Sequence, residues 1–313
     1  MPDPILALKA GLAALAGAAI LLLLGGLPWR KPRSRLTSAV AALGVGLGMV
    51  LGGRVYALSP HWPPREDLDR FVFLLLLATI AVELFAAIPR LPGWIGWLAR
   101  LAVAGAAAPV LLHGSVYLSE PGPDSGAWTA NEKLEILGGL SLALAGVWAA
   151  LALLARRTTG RATPLALSIC CGAAAAVLML SGYATGGPLG VPLASALAGI
   201  GLASLVLAPP VKVNGAIGMG IVGLFGLVVI GHYFNELTLP NALLLFFAPL
   251  LAWLPEFPVI RRADPWLRGA ARLILVALPL AFVGWRAWGE FNAKAQPGAP
   301  GEVTADDYAN FGK

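Results

Sequence analysis

Apolar stretches of about 20 residues alternate along this chain with short connections whose charge switches sign from one connection to the next. A hydrocarbon core of ~30 Å takes roughly 20 apolar residues per helical crossing, and segments such as Phe71 to Ile88 or Gly215 to Gly231 each fit one crossing. The pattern predicts helices over 4–26, 37–58, 69–88, 96–118, 134–155, 163–184, 189–208, 215–237, 240–255 and 268–289. The fold class is therefore all-α: a polytopic integral membrane helical bundle of about ten transmembrane helices. Residues 1–291 form the transmembrane domain, and the polar, Pro- and Gly-spaced stretch 292–313 reads as a flexible C-terminal tail.

Proline and glycine mark most of the junctions. Gly25-Gly26-Leu27-Pro28, Pro89-Arg90-Leu91-Pro92, Pro209-Pro210 and Pro255-Glu256-Phe257-Pro258 each give the chain a place to leave the helix and turn. One set of connections carries Arg30, Lys31, Arg33 and Arg35, then Arg90, then Arg156, Arg157 and Arg161, then Lys212, then Arg261, Arg262, Arg268 and Arg272. The other set carries Glu66, Asp67 and Asp69, then Glu120, Asp124, Glu132 and Glu135, then Glu236, and last the tail with Glu302, Asp306 and Asp307. The basic set occupies every second connection. By the positive-inside rule it is cytoplasmic, both termini lie outside, and the location is a bacterial inner membrane. An eight-span arrangement lacking both 189–208 and 240–255 would move Lys212 and restore the later parity, so those two spans are the weakest.

A 58% hydrophobic share, 12% charged residues and a mean hydropathy of +0.79 leave too little polar surface to solvate a globular domain in water. The net charge of +6 sits in the inter-helix connections and orients the chain; it is not a nucleic-acid footprint. At the N-terminus the first charge is Asp3, and the run from Ile5 to Leu27, broken only by Lys9, exceeds a signal-peptide core, so it reads as an uncleaved first helix. The two cysteines, Cys170 and Cys171, are adjacent in an apolar run and point about 100° apart on a helix, which makes them small buried hydrophobes and not a disulfide. Small residues recur where helices are to approach closely: Gly44, Gly48 and Gly52 at i, i+4, i+8, and Gly215, Gly218, Gly220, Gly223 and Gly226 in the eighth stretch.

Charges inside hydrocarbon cost several kcal/mol unless paired or hydrated, so each marks a candidate site. Glu83 lies about 9 Å inside the cytoplasmic end of the third helix and Arg100 at a similar depth on the fourth, by rise per residue. The tight hairpin between those helices allows an intramembrane ion pair. On the outer side, His61, His113 and His232 fall at one depth, and His232 with Glu236 four residues on shares a helical face. His113, His232 and Glu236 thus form a candidate outer-face polar cluster able in principle to move a proton or hold a metal. Satisfied interfacial histidines explain the same residues, and no HExxH or Cys/His ligand set is present to argue for a metal. Arg54, near the outer end of the second helix, reaches for the interface, with Glu66 to Asp69 as candidate partners. Most of the tryptophans fall near the predicted interfaces, as an aromatic belt does.

There is no GxSxG elbow and no phosphate-binding GxxxxGK[ST] loop, no cofactor is implied, and residues 1–158 and 159–290 share no repeated motif. Two function classes follow. The first is a non-enzymatic structural or accessory membrane component that packs against lipid, other membrane subunits or itself, favoured by the scarcity of intramembrane polar residues. The alternative is a secondary transporter of a small solute, favoured by helix count and glycine content, which needs a polar midplane cavity.

Overall fold

A computed structural model describes residues 3–26, 34–120, 126–158, 161–207, 211–257 and 264–294. Arg30, Lys31, Arg33, Arg261, Arg262, Asp124 and the acidic residues of the tail lie outside these described residues, as do Pro28, Pro209, Pro210 and Pro258. The described chain is all-helical. Its helices are α1 (Pro4–Gly26), α2 (Ser34–Val55), α3 (67–86), α4 (Gly93–Leu112), α5 (Ala130–Arg157), α6 (Ala162–Leu180), α7 (Gly186–Val206), α8 (Asn214–Tyr233), α9 (Leu239–Glu256) and α10 (Pro265–Lys294). Among the described residues nine helices are long and apolar enough to cross a bilayer. The tenth, α3, runs without interruption but changes winding, α over Asp67–Arg70, π over Phe71–Leu76 and α again over Leu77–Ala86.

Two sets of cross-helix bonds fix which ends lie together. On the basic face, Arg35 Nη1 donates to the carbonyls of Ile88 (2.8 Å), Pro89 (3.0 Å) and Leu91 (3.2 Å), so the first turn of α2 touches the α3–α4 connection. Thr37 donates to the Lys212 carbonyl, Ser38 accepts from the Gly215 N–H, and Arg161 donates to the Leu207 carbonyl. Arg157 covers the Trp253 ring at 5.5 Å, and Arg272 pairs with Glu256. On the acidic face, Arg70 donates to the His113 and Arg65 carbonyls, Tyr183 to Asp67, Tyr117 to the Tyr233 carbonyl, and Lys133 to the Ser119 carbonyl. Helix α3 starts among the second set and ends among the first, so it crosses as the others do. The termini of α1 and α10 remote from the basic connections both belong to the acidic face.

The core is built around α8. Every residue from Gly215 to Gly231 is buried, and α8 contacts α2, α3, α4, α5, α6, α7 and α9. A helix that is apolar on all sides has nowhere to turn but inward, and this one is lined with glycines that receive neighbouring side chains. A Cβ at Gly226 would run into the Phe71 ring of α3. Helix α1 packs on α2 and α7, and the stripe Gly44, Gly48 and Gly52 lies against the backbone of Ala18, Ala14 and Ala10; a Cβ at Gly48 would stand 2.6 Å from the Ala14 carbonyl oxygen. Helix α10 closes the other flank on α6 and α9. Along its exposed side Trp266 stands at the basic end and Trp285 and Trp288 toward the acidic end, about 28–33 Å apart by helical rise, the thickness of a hydrocarbon core.

Both weak spans are present. Helix α7 is continuous over 21 residues and buried between α1, α2, α6 and α8. Helix α9 has only 18 residues, nine of them α (Leu239–Phe247) and nine 3₁₀ (Ala248–Glu256). The 3₁₀ half rises about 2.0 Å per residue against about 1.5 Å, so the helix reaches roughly 31 Å where an all-α helix would stop near 27 Å. Several ends differ from those the sequence predicts. The predicted 96–118 breaks after Leu112 and resumes as a short 3₁₀ turn at Val116–Leu118, because Gly114 takes a left-handed φ of +74°. The predicted 163–184 ends at Leu180, where Gly182 (φ +97°) lets the Tyr183 N–H return to the Leu178 carbonyl. At the C-terminus α10 continues to Lys294 in place of ending at 289.

Candidate functional site

The most enclosed charge among the described residues is Glu83 on α3, and its partner is Arg100 on α4. The short turn 87–92 makes these helices antiparallel neighbours, which brings the two residues level. Arg100 Nε donates to Glu83 Oε1 and Nη2 to Oε2, both at 2.8 Å, the parallel two-bond geometry in which a guanidinium holds a carboxylate most firmly. Glu83 is 1% exposed. The Arg100 guanidinium lies over Trp97 at 5.1 Å and Trp148 of α5 at 6.0 Å, so its faces are covered by aromatic rings while its edge is bonded. From the core side, α8 presents Gly218, where a Cβ would stand 2.6 Å from Glu83 Oε1 and 2.9 Å from the Trp148 ring. The pair is therefore enclosed by four helices, and both carboxylate oxygens are engaged.

The outer-face residues are arranged differently. Helix α8 ends at Tyr233, four residues before the predicted end, so Glu236 lies in the following loop and the shared helical face predicted for His232 and Glu236 does not form. The cause is the loop's own closure: the Leu237 N–H reaches back to the Gly231 carbonyl, and His232 Nδ1 bonds the Leu237 carbonyl at 2.8 Å. A carbonyl cannot donate, so Nδ1 carries the proton in that bond. His113 caps α4 and meets Arg70 through its backbone carbonyl. Among the described residues no three His, Cys, Asp or Glu side chains approach closely enough to share a metal ion. The third histidine, His61, donates its backbone N–H to Asp69.

What the acidic face does contain is an aromatic cluster that sequence reasoning missed. Tyr117 and Trp128 lie 5.0 Å apart by ring centroid, Tyr233 meets both edge-on at 5.4 and 5.5 Å, and the His232 ring packs on Tyr233 at 4.9 Å. Nothing in the spacing of these residues marks them; only packing of the α4–α5 connection against the end of α8 joins them. Also toward the acidic face, Asp69 is buried at the start of α3. Its carboxylate accepts the backbone N–H groups of His61, Arg65 and Glu66. The Tyr183 phenol, half-buried and donating to Asp67 at 3.3 Å, is pushed up to about 12, chiefly by burial. The second ion pair, Arg272 with Glu256, was not singled out from sequence because both residues sit in or beside a basic connection and read as topology signals.

No family model matches the chain, and neither a curated protein nor a solved structure matches it.

Proposed function

We propose that this multi-pass membrane protein is a non-enzymatic accessory component of a bacterial inner membrane, its basic connections in the cytoplasm, acting through contacts with lipid and with neighbouring subunits or further copies of itself. The observation that carries the reading is the filled axis. Helix α8 is surrounded by seven helices and buried from Gly215 to Gly231, where a transporter needs a polar, partly hydrated space at the midplane. The charges nearest that depth saturate each other. Two cavities, of about 540 and 680 Å³, are walled almost wholly by apolar side chains. Against an outer-face enzyme stands the separation of roles among His113, His232 and Glu236: no bond joins the two histidines, and the loop, not the helix, carries Glu236.

The native cysteines test this reading without mutation. Cys170 and Cys171 are fully buried on α6, and the Cys171 thiol faces the Gly220 carbonyl of α8 at 3.7 Å. In sealed vesicles of either orientation, a charged, membrane-impermeant thiol reagent is expected to leave both unmodified until the protein is denatured. Modification in the folded state from either side would mean that water reaches the axis, and transport would replace the accessory reading.

A further inference from the structure

Between α2 and α3 an apolar groove of about 680 Å³ runs inward from the acidic face. Its α2 wall is the stripe Leu43, Leu47, Val50 and Arg54, at the i, i+4, i+7, i+11 positions of one helical face. Val50 is 55% exposed and Leu77 on the opposite wall 52%, so the groove opens sideways, toward the bilayer and not toward the core. From Arg54 to Leu43 it extends about 16 Å by helical rise, the depth of one leaflet of a ~30 Å hydrocarbon core.

The mouth differs in character from the walls. Arg54 lies there, exposed, and its guanidinium forms no ion pair with any described carboxylate. Two of its candidate partners by sequence are otherwise engaged at the start of α3: Asp69 accepts three backbone N–H groups and Asp67 accepts from Tyr183. Helix α7 begins at Gly186 and contributes Pro188 and Leu189 to the same groove, so the positive end of its dipole is turned to this region. An unpaired cation at the interface above a leaflet-deep apolar slot complements one kind of molecule, a phospholipid with a net anionic headgroup and long acyl chains. We propose that this groove is a binding site for an anionic phospholipid of the outer leaflet, its phosphate and headgroup held at Arg54 and one acyl chain lying along Leu43, Leu47, Val50 and Leu77. The volume lies within the range of dedicated small-molecule pockets.

The test is native mass spectrometry of the detergent-purified full-length protein titrated with phosphatidylglycerol and, separately, phosphatidylcholine of identical chains. Wild type is expected to take up one phosphatidylglycerol with roughly tenfold preference, the scale of one charge-assisted contact. Arg54→Ala is expected to bind both lipids alike, and Arg54→Lys to keep part of the preference. Val50→Trp, at an exposed wall position, fills the slot and is expected to lose both lipids while retaining the wild-type melting temperature. Arg286→Ala, which removes a half-exposed arginine on α10 beside Glu290, is expected to change neither. Equal binding of the two lipids by wild type, a preference that survives Arg54→Ala, binding unaffected by Val50→Trp, or glycerol phosphate binding as well as the lipid would each overturn the proposal.

Discussion

Removing Arg100 strands a carboxylate that is 1% exposed and enclosed by Trp148 and Gly218, whereas removing the charge of Glu83 strands a guanidinium whose side chain is 14% exposed and already covered by two aromatic rings. The two single changes are therefore unequal. Loss of one partner of a buried pair costs about 3–5 kcal/mol, and Arg100→Ala belongs in that range. Glu83→Gln keeps the side-chain volume and one acceptor for the arginine, and belongs nearer about 1–3 kcal/mol, the cost of a lost charge-assisted hydrogen bond. In the double variant the neutral amide faces no orphaned charge, so the combined loss should fall short of the sum by about 2 kcal/mol, within the coupling range of directly bonded residues. The assay is equilibrium unfolding in mixed micelles, titrating a denaturing into a mild detergent and reading tryptophan fluorescence, to which Trp97 and Trp148 contribute beside the pair. Losses that add within about 0.5 kcal/mol would show that the residues are energetically independent. A larger cost for Glu83→Gln than for Arg100→Ala would refute the argument from burial.

Two further outcomes follow from the packing and the acidic-face bonds. Gly226→Ala thrusts a methyl group into the Phe71 ring and is expected to destabilise by about 1–3 kcal/mol. Gly146→Ala on α5 meets nothing within 4 Å and is expected to be neutral or stabilising by up to about 1 kcal/mol; equal shifts in melting temperature would contradict the assignment of α8 as a set of filled sockets. Asp69→Ala leaves the N–H groups of His61, Arg65 and Glu66 without their acceptor and is expected to lower stability by about 1–3 kcal/mol, and an unchanged melting temperature would show that these three bonds contribute nothing.

Depth was legible in the sequence and azimuth was not. Counting residues from Pro89 and Pro92 sets Glu83 and Arg100 level, and because their helices are joined by a short turn, being level on adjacent helices is close to being in contact. The same counting sets His113 and His232 level, but α4 and α8 are distant in sequence, and rotation about each helix axis decides what their side chains meet. For His232 the meeting partner is the Leu237 carbonyl of its own loop. Charge alternation sorted the connections into two sets, and among the described residues the bonds of Arg35, Thr37, Arg161 and Arg157 gather helix ends of the basic set on one face. Changes of winding left no such trace. The π stretch Phe71–Leu76 and the 3₁₀ half of α9 are as apolar as their surroundings, and periodicity over so few residues does not separate one winding from another. The glycines of the eighth stretch announced close contact, but that this helix is the axis emerges only when neighbours are seen on every side of it.

An axial helix that touches no lipid has a consequence for biogenesis. Seven crossings leave the ribosome before α8, and six of them, α2 to α7, lack a final neighbour until residues 214–233 have been threaded between them. Until then the nascent bundle must either stay ajar, with acyl chains occupying the vacancy, or close on itself and reopen. Chains truncated ahead of α8 would accordingly be substrates for membrane quality control, while chains truncated after α9 would already hold the whole central packing and lack only an outer stave.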